Sequence, residues 1–228
     1  MPDKTTARPG AHTRKTTHVT AAQAKLLEAA LPHVAFDGWT PRLMREAAAA
    51  AGIDHNEMRL AFPDGVLDLV DYFLADGDRR MGDALAKDDL AAMKVRERIT
   101  HAVRTRLEVD APHREAMRRA VTMLALPTSG TRGPRTLYRT VDTIWRAAGD
   151  TSTDFNFYTK RATLAGVWSA VTLYWLSDHS PGFADTWAFL DARIEDVMRF
   201  ERAKATVLGV AGKLPDPFAL LGRLRYRD

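Results

Sequence analysis

Read for its alternation of apolar and polar positions, the chain is helical from end to end. No segment shows the period of two that a half-buried strand requires between turn signals. Thr20 is placed to cap a first helix running to about Phe36, with an interruption expected at Pro32. Asp37-Gly38-Trp39 reads as a turn. Thr40 then suits an N-cap, Pro41 the first helical position, and Gly52 the stop. Asp54 and Glu57 have capping-box spacing for a short third helix ending near Ala61, and Pro63-Asp64-Gly65 is the next turn. Val66, Leu67, Val70, Phe73 and Leu74 stripe a fourth helix. Asp88 predicts the start of a helix carrying Leu90, Met93, Ile99, Val103 and Leu107, and Pro112 the start of one carrying Met117, Ala120, Val121 and Leu124. Residues 127–134 read as a loop. Leu137, Val141, Ile144, Trp145 and Ala148 stripe a helix ended by Gly149. A long helix follows from Asp154 to about Asp178, and Ser180-Pro181 opens the last long one.

These elements predict an all-α fold of nine or ten helices. An N-terminal three-helix unit with a helix-turn-helix leads through a fourth helix into a larger helical body, a layout similar to that of TetR-type regulators. The expected divisions are a disordered basic tail over 1–19, the helix-turn-helix-like unit over 20–75, a body over 76–212 and an amphipathic tail over 213–228.

Composition narrows the function. Hydrophobic residues make up 46% of 228 and charged residues 27%, ordinary for a globular chain able to bury a core and a pocket. The absence of cysteine removes disulfides, thiolate catalysis and thiolate metal ligands. The net charge of +4 lies mostly at the ends, which suits a polyanionic surface of nucleic acid or anionic lipid. Residues 1–18 lack the apolar core of a secretory signal; their basic, Thr-rich character is that of a tail or of an organellar-targeting segment. The apolar run Ala162–Leu176 is shorter than a bilayer span and reads as a buried helix.

The would-be DNA-reading stretch argues against DNA. Across residues 52–71, Asp54, Glu57, Asp64, Asp68 and Asp71 face Arg59 alone, a net of −4 where counterion release should supply affinity. His55 and Asn56 add little, so no nucleic-acid partner is favoured. The alternative, a ligand-responsive DNA-binding regulator of TetR type, predicts duplex binding at low salt that Arg59 substitution weakens. Enzyme signatures are equally thin. The seven histidines show no zinc or di-iron spacing, and Asp110 with His113 reads as a helix start. There is no GxSxG, P-loop or GxGxxG. The chain reads as a non-enzyme with no cofactor and no metal.

Three features remain. Leu164, Trp168, Val171 and Trp175 follow i, i+4, i+7, i+11, a bulky stripe that serves either as core or as the wall of an apolar pocket. On the last long helix Phe189 and Phe200 leave the main stripe, beside Arg193 and Asp196, and face a second chain or another partner. In the tail, Phe218, Leu221 and Leu224 share a helical face among Arg223, Arg225 and Arg227, a pattern for the membrane interface or for packing on another subunit.

The stretches GWTPRLMREAAAAAG, LVDYFL, LALP, WRAAGDTSTDFNFYTKRATLAGV and DHSPGFADTW resemble the coenzyme Q biosynthesis protein 9 family over roughly residues 20–200. The resemblance implies a lipid-binding accessory protein of ubiquinone synthesis. Such a protein takes an isoprenoid quinone or phospholipid tail, contacts membrane peripherally and presents intermediates to a ring hydroxylase. The ligand is then expected among Trp145, Phe155, Tyr158, Leu164, Trp168, Val171, Tyr174 and Trp175. The hydroxylase patch is expected around Trp187 with Asp185, Leu190 and Arg193, and membrane contact through Phe218, Leu221, Arg223, Leu224 and Arg225. A homodimer through the last two long helices is expected. The expected location is the cytoplasm, peripheral on the inner membrane, in a bacterium, or the matrix side of a mitochondrion.

Overall fold

The computed structural model describes the backbone of residues 11–150 and 155–211, and the side chains of 19–150 and 157–200. All regular structure among them is helical, in nine α-helices joined by short turns and 3₁₀ segments. The first three are α1 (Ala11–Asp37), α2 (Pro41–Ala50) and α3 (His55–Ala61), followed by α4 (Val66–Leu85) and α5 (Val95–Asp110). The remainder are α6 (Arg114–Ala125), α7 (Arg132–Ala147), α8 (Phe155–Ser177) and α9 (Ala184–Ala211).

The caps fall where local chemistry puts them. Thr40 Oγ1 accepts from Leu43 N–H at 3.1 Å, and Asp54 Oδ1 from Asn56 and Glu57 N–H at 2.7 and 2.9 Å. Gly65 turns the chain into α4 with φ +66°, a left-handed value that suits glycine.

Other expected boundaries move. α1 begins at Ala11, so Thr20 lies inside it and the helix takes in residues 11–19. Pro32 does not interrupt α1: its ring faces solvent, while Leu26, Ala30 and Val34 on the opposite side are fully buried. The hydrogen bond that proline forfeits is thus on the wet side, and packing holds the dry one. α5 starts at Val95, not Asp88; residues 90–92 form a 3₁₀ turn, and Arg98 Nε donates to Met93 O at 2.9 Å to close the bend. α6 starts at Arg114 after a 3₁₀ turn, and α7 starts inside the expected 127–134 loop. The 75/76 division falls within α4, which runs unbroken from the helix-turn-helix unit into the body.

The N-terminal unit shares its core with the body. Trp39 is buried, tilts against Phe73 of α4 with ring centroids 5.4 Å apart, and donates Nε1–H to Ala116 O of α6 at 3.0 Å. Arg119 of α6 donates to Ala35 O at 2.8 Å, holding the end of α1.

At the centre of the body lies a buried charge network. Arg106 of α5, with 0% of its surface exposed, donates Nε–H to Asp78 Oδ1 at 2.9 Å, pairs with Asp110 and donates to Leu74 O at 3.0 Å. Asp78 also accepts from Thr140 and Arg139 of α7, and Arg80 from α4 reaches Asp110 at 2.8 Å. Burial opposes the charge on Arg106, but Asp110 and Asp78 outweigh it and hold its pKa above the ordinary arginine value. Space for the guanidinium comes from Gly77: a Cβ there would lie 2.4 Å from Arg106 Nη2.

Gly77→Ala is therefore expected to lower stability by about 1–3 kcal/mol, because the guanidinium it would strike cannot swing away from its partners. Gly166→Ala, in an exposed and open part of α8, should be neutral or stabilise by up to about 1 kcal/mol. Thermal melts followed by circular dichroism compare the two; equal effects would remove the steric account.

Candidate functional site

The run between α7 and α8 builds a corner. Gly149 reverses the chain with φ +83°. Asp150 then binds Lys160 Nζ at 2.8 Å and Arg161 Nη1 at 3.1 Å. Buried Arg161 also donates to Asp142 of α7 at 2.8 Å and lies 3.4 Å from the centroid of the Phe157 ring. Trp145 donates Nε1–H to Lys160 O at 3.2 Å. A buried cation must be paired, and here the pairing welds α8 to α7. Residues 151–154 and the side chain of Phe155 lie outside the described residues.

Beside this corner a cavity of about 380 Å³ opens between α5, α7, α8 and α9. Its walls are Ile99, Trp145, Leu164, Val167, Ile194 and Val197, with Val95 and Met198 at the mouth and Arg96, Thr159 and Lys160 supplying polar edges. A second cavity, of about 230 Å³, lies on the other side of α8, between α4, α6 and α7, with Trp168 in its wall. The bulky stripe of α8 is thus divided: Leu164 serves one cavity and Trp168 the other, while Val171 and Trp175 are fully buried and line neither. Tyr158 is 68% exposed and meets the Phe157 ring edge-on at 5.2 Å. Tyr174 stacks on Phe189 of α9 at 4.5 Å, and Arg193 covers that ring from 5.0 Å. The walls from α5 and α9 carry no signal of their own in the sequence; Ile99, Ile194 and Val197 read as ordinary core positions.

The α8–α9 turn is set by Asp178. Its carboxylate accepts from Ser180 N–H at 2.7 Å, Thr186 N–H at 3.0 Å and Thr186 Oγ1–H at 2.5 Å. Burial would raise the carboxyl pKa, but the bonds from Thr186 and Ser180 overcome it and hold the group well below the carboxylate range. From α6, Arg114 donates to Trp175 O and Asp178 O at 2.6 and 2.5 Å, and Arg118 to Leu176 O. These arginines satisfy carbonyls that the end of α8 would otherwise leave open. Arg114 also lies over the rings of Trp175 and Phe183, at 5.6 and 5.2 Å.

Trp187 sits just beyond, half-buried. Its Nε1–H donates to Gly182 O at 2.8 Å, and Arg104 of α5 lies 4.8 Å from its ring centroid. Asp185 is exposed, and Arg193 pairs with Asp196 at 2.7 Å. Leu190, expected on the same surface patch, is corrected to core: it is 1% exposed and points into the body, because the main stripe of α9 includes it. Phe218, Leu221, Arg223, Leu224 and Arg225 lie outside the described residues.

On the helix-turn-helix face, α3 is only seven residues long and presents His55, Asn56 and Arg59. The acids that follow have structural partners: Arg132 of α7 binds Asp68 and Asp71 at 2.8 and 2.5 Å and also reaches Asp64. Among the described residues no group of three His, Asp or Glu side chains is placed to hold a metal ion, and no helix is long and apolar enough to cross a membrane.

Residues 131–201 match the family model described as COQ9. The chain is 36% identical over 183 residues to "Ubiquinone biosynthesis protein COQ9, mitochondrial" of Rattus norvegicus, covering 77% of this chain and 58% of that protein. It is 34% identical over 183 residues to its Homo sapiens counterpart, with 77% and 57% covered. A probable coq9 protein of Dictyostelium discoideum is 27% identical over 194 residues, with 82% and 63% covered. The chain therefore spans less than two thirds of the length of these relatives. Among solved structures, a TetR transcriptional regulator from Nitrosomonas europaea superposes with a TM-score of 0.62 at 20% identity, covering 77% of this chain and 97% of that one. That likeness shows the fold.

Because the Asp178 pKa is depressed by folding, its contribution to stability is present above the unfolded value of 3.8 and is lost as pH falls below it. Asp178→Asn should be less stable than the parent at pH 7, with the gap closing as the pH drops toward 2. Urea melts across that range test it; a pH-independent gap would mean that shape, not charge, holds the turn.

Proposed function

Over residues 131–201 this chain belongs to the COQ9 family, and on that footing we propose that it serves ubiquinone biosynthesis as a non-catalytic lipid-binding protein. The observation carrying the reading is the cavity of about 380 Å³ between α5, α7, α8 and α9. Its size falls in the range of small-ligand pockets, and its walls are mostly aliphatic with one indole. A prenyl or acyl tail lies along Leu164, Val167, Ile194 and Val197 and emerges between Val95 and Met198. Arg96 and Lys160 at the edge suit a polar or anionic head, so an isoprenoid quinone and a phospholipid both meet the chemistry.

In this reading the protein rests on a membrane surface, draws the ligand partly out of the bilayer and offers it to a pathway hydroxylase. The patch for that enzyme comprises Trp187, Asp185 and Arg193. Trp187 is the anchor, since an aromatic ring held under Arg104 presents a large rigid face at little entropic cost. The exposed rings of Tyr174 and Phe200 on α8 and α9 suit a homodimer seam. The helix-turn-helix serves as packing, because Arg132 consumes the acids beside it and α3 offers Arg59 as its cation.

Native mass spectrometry of the purified chain is expected to show a dimer carrying lipid or quinone. Leu164→Trp should fill the cavity and remove that mass while the protein stays folded. A parent spectrum free of ligand, with no uptake of added quinone, would end the proposal. Trp187→Lys should keep the melting temperature within a few degrees yet lower ubiquinone output in cells that depend on this chain. If the variant unfolds instead, Trp187 is core and not a docking residue.

A further inference from the structure

The second cavity has features that a lipid tail does not need. It lies between α4, α6, α7 and α8, separated from the first by α8 itself, and holds about 230 Å³. Its floor is apolar: Leu74, Met117 and Trp168 are all buried. Its mouth is at Ala125 and Leu173, both exposed.

One polar group in its wall stands out. Thr172 is 4% exposed, and its Oγ1 has no hydrogen-bond partner in the protein. Helical threonines elsewhere in this chain return their hydroxyl to the carbonyl four residues back, as Thr100, Thr122, Thr136 and Thr143 do. Thr172 makes no such bond to Trp168. A buried hydroxyl without a partner costs free energy, and Thr172 is one of the residues that line this cavity.

The charge beneath the cavity is balanced. Arg106 reaches its wall, but that guanidinium is spent on Asp78, Asp110 and Leu74 O. Arg80 and Arg139 face the same two carboxylates, and Arg80 also pairs with Asp76. Arg79 shares Asp76 and binds Asp83, so four arginines meet four aspartates and leave no net charge to recruit an ion. The volume is below the range usual for drug-sized ligands.

We propose that this cavity is a second binding site, for a compact uncharged molecule the size of one substituted ring, whose oxygen pairs with the Thr172 hydroxyl. The site is independent of the lipid cavity and stands whether or not that cavity holds a tail.

The probe is 2,3-dimethoxy-5-methyl-1,4-benzoquinone, a tail-free ring with several oxygen acceptors. The chain has no cysteine to consume it by thiol addition. Calorimetric titration of the full chain should show binding. Thr172→Val, which keeps the shape and deletes the hydroxyl, should weaken it about tenfold. The same variant should melt no lower than the parent, because it removes an unpaired buried hydroxyl. Ser169→Trp should abolish binding by occupying the cavity, whereas Leu164→Trp, which fills the other one, should leave the titration unchanged. The proposal is overturned if the parent does not bind the ring, if Thr172→Val binds it equally well, or if Leu164→Trp abolishes binding. The last outcome would place the ring in the lipid cavity.

Discussion

Arg106 has no contact with water, and the body is arranged so that its charge never lacks a partner. α4 supplies Asp78 and the Leu74 carbonyl, α5 supplies Asp110, and α7 closes the far side with Thr140 and Arg139. Removing any one partner would strand charge in a low-dielectric interior, where the penalty is on the order of several kcal/mol. The three helices are therefore tied in one relative placement, more specifically than aliphatic packing alone would tie them. Gly77 belongs to the same constraint, since its missing side chain is the room that the guanidinium occupies.

A second arginine extends the logic toward the N-terminus. Arg132, at the start of α7, gathers Asp64, Asp68 and Asp71 from the turn into α4 and its first turns. These acids give the would-be reading segment its negative balance, and their use is internal. With Trp39 wedged between α4 and α6, the helix-turn-helix unit joins the body through a shared core rather than a linker. A TetR-like fold thus has its helix-turn-helix unit tied to the body by internal charge pairs and a shared aromatic contact.

Helix identity and several ends were legible in the sequence because short-range chemistry decides them: Thr40 with Pro41, Asp54, Gly65 and Gly149 all act within a few residues. Pro32 misled because its cost depends on which side of α1 faces water, a tertiary matter. Asp88 misled because it resembles a cap, while Arg98 reaching back to Met93 and Ala148 fixes where α5 starts. Periodicity shows the α8 stripe as apolar, but not that Leu164 and Trp168 border separate spaces. That division depends on how far apart α5, α6, α7 and α9 stand. Leu190 shares the main stripe of α9 with Trp187, and that shared face could not show that the stripe is fully covered at Leu190 but only half-covered at Trp187 beside the turn. Thr172 gave no signal at all, since an unmade hydrogen bond has no sequence pattern.

The turn between α8 and α9 is pinned three ways, by Asp178 from within and by Arg114 and Arg118 from α6. Ile194 and Val197 stand ten to thirteen residues from the start of α9, roughly 15–20 Å along its axis. Such a turn behaves as a fulcrum, with the two helices as its arms. A tilt of about ten degrees at the pivot would part the arms by on the order of 3 Å at that distance, while Trp187 beside the pivot scarcely shifts. Such a tilt would widen the space between Leu164, Val167, Ile194 and Val197 while leaving the pinned turn as it is.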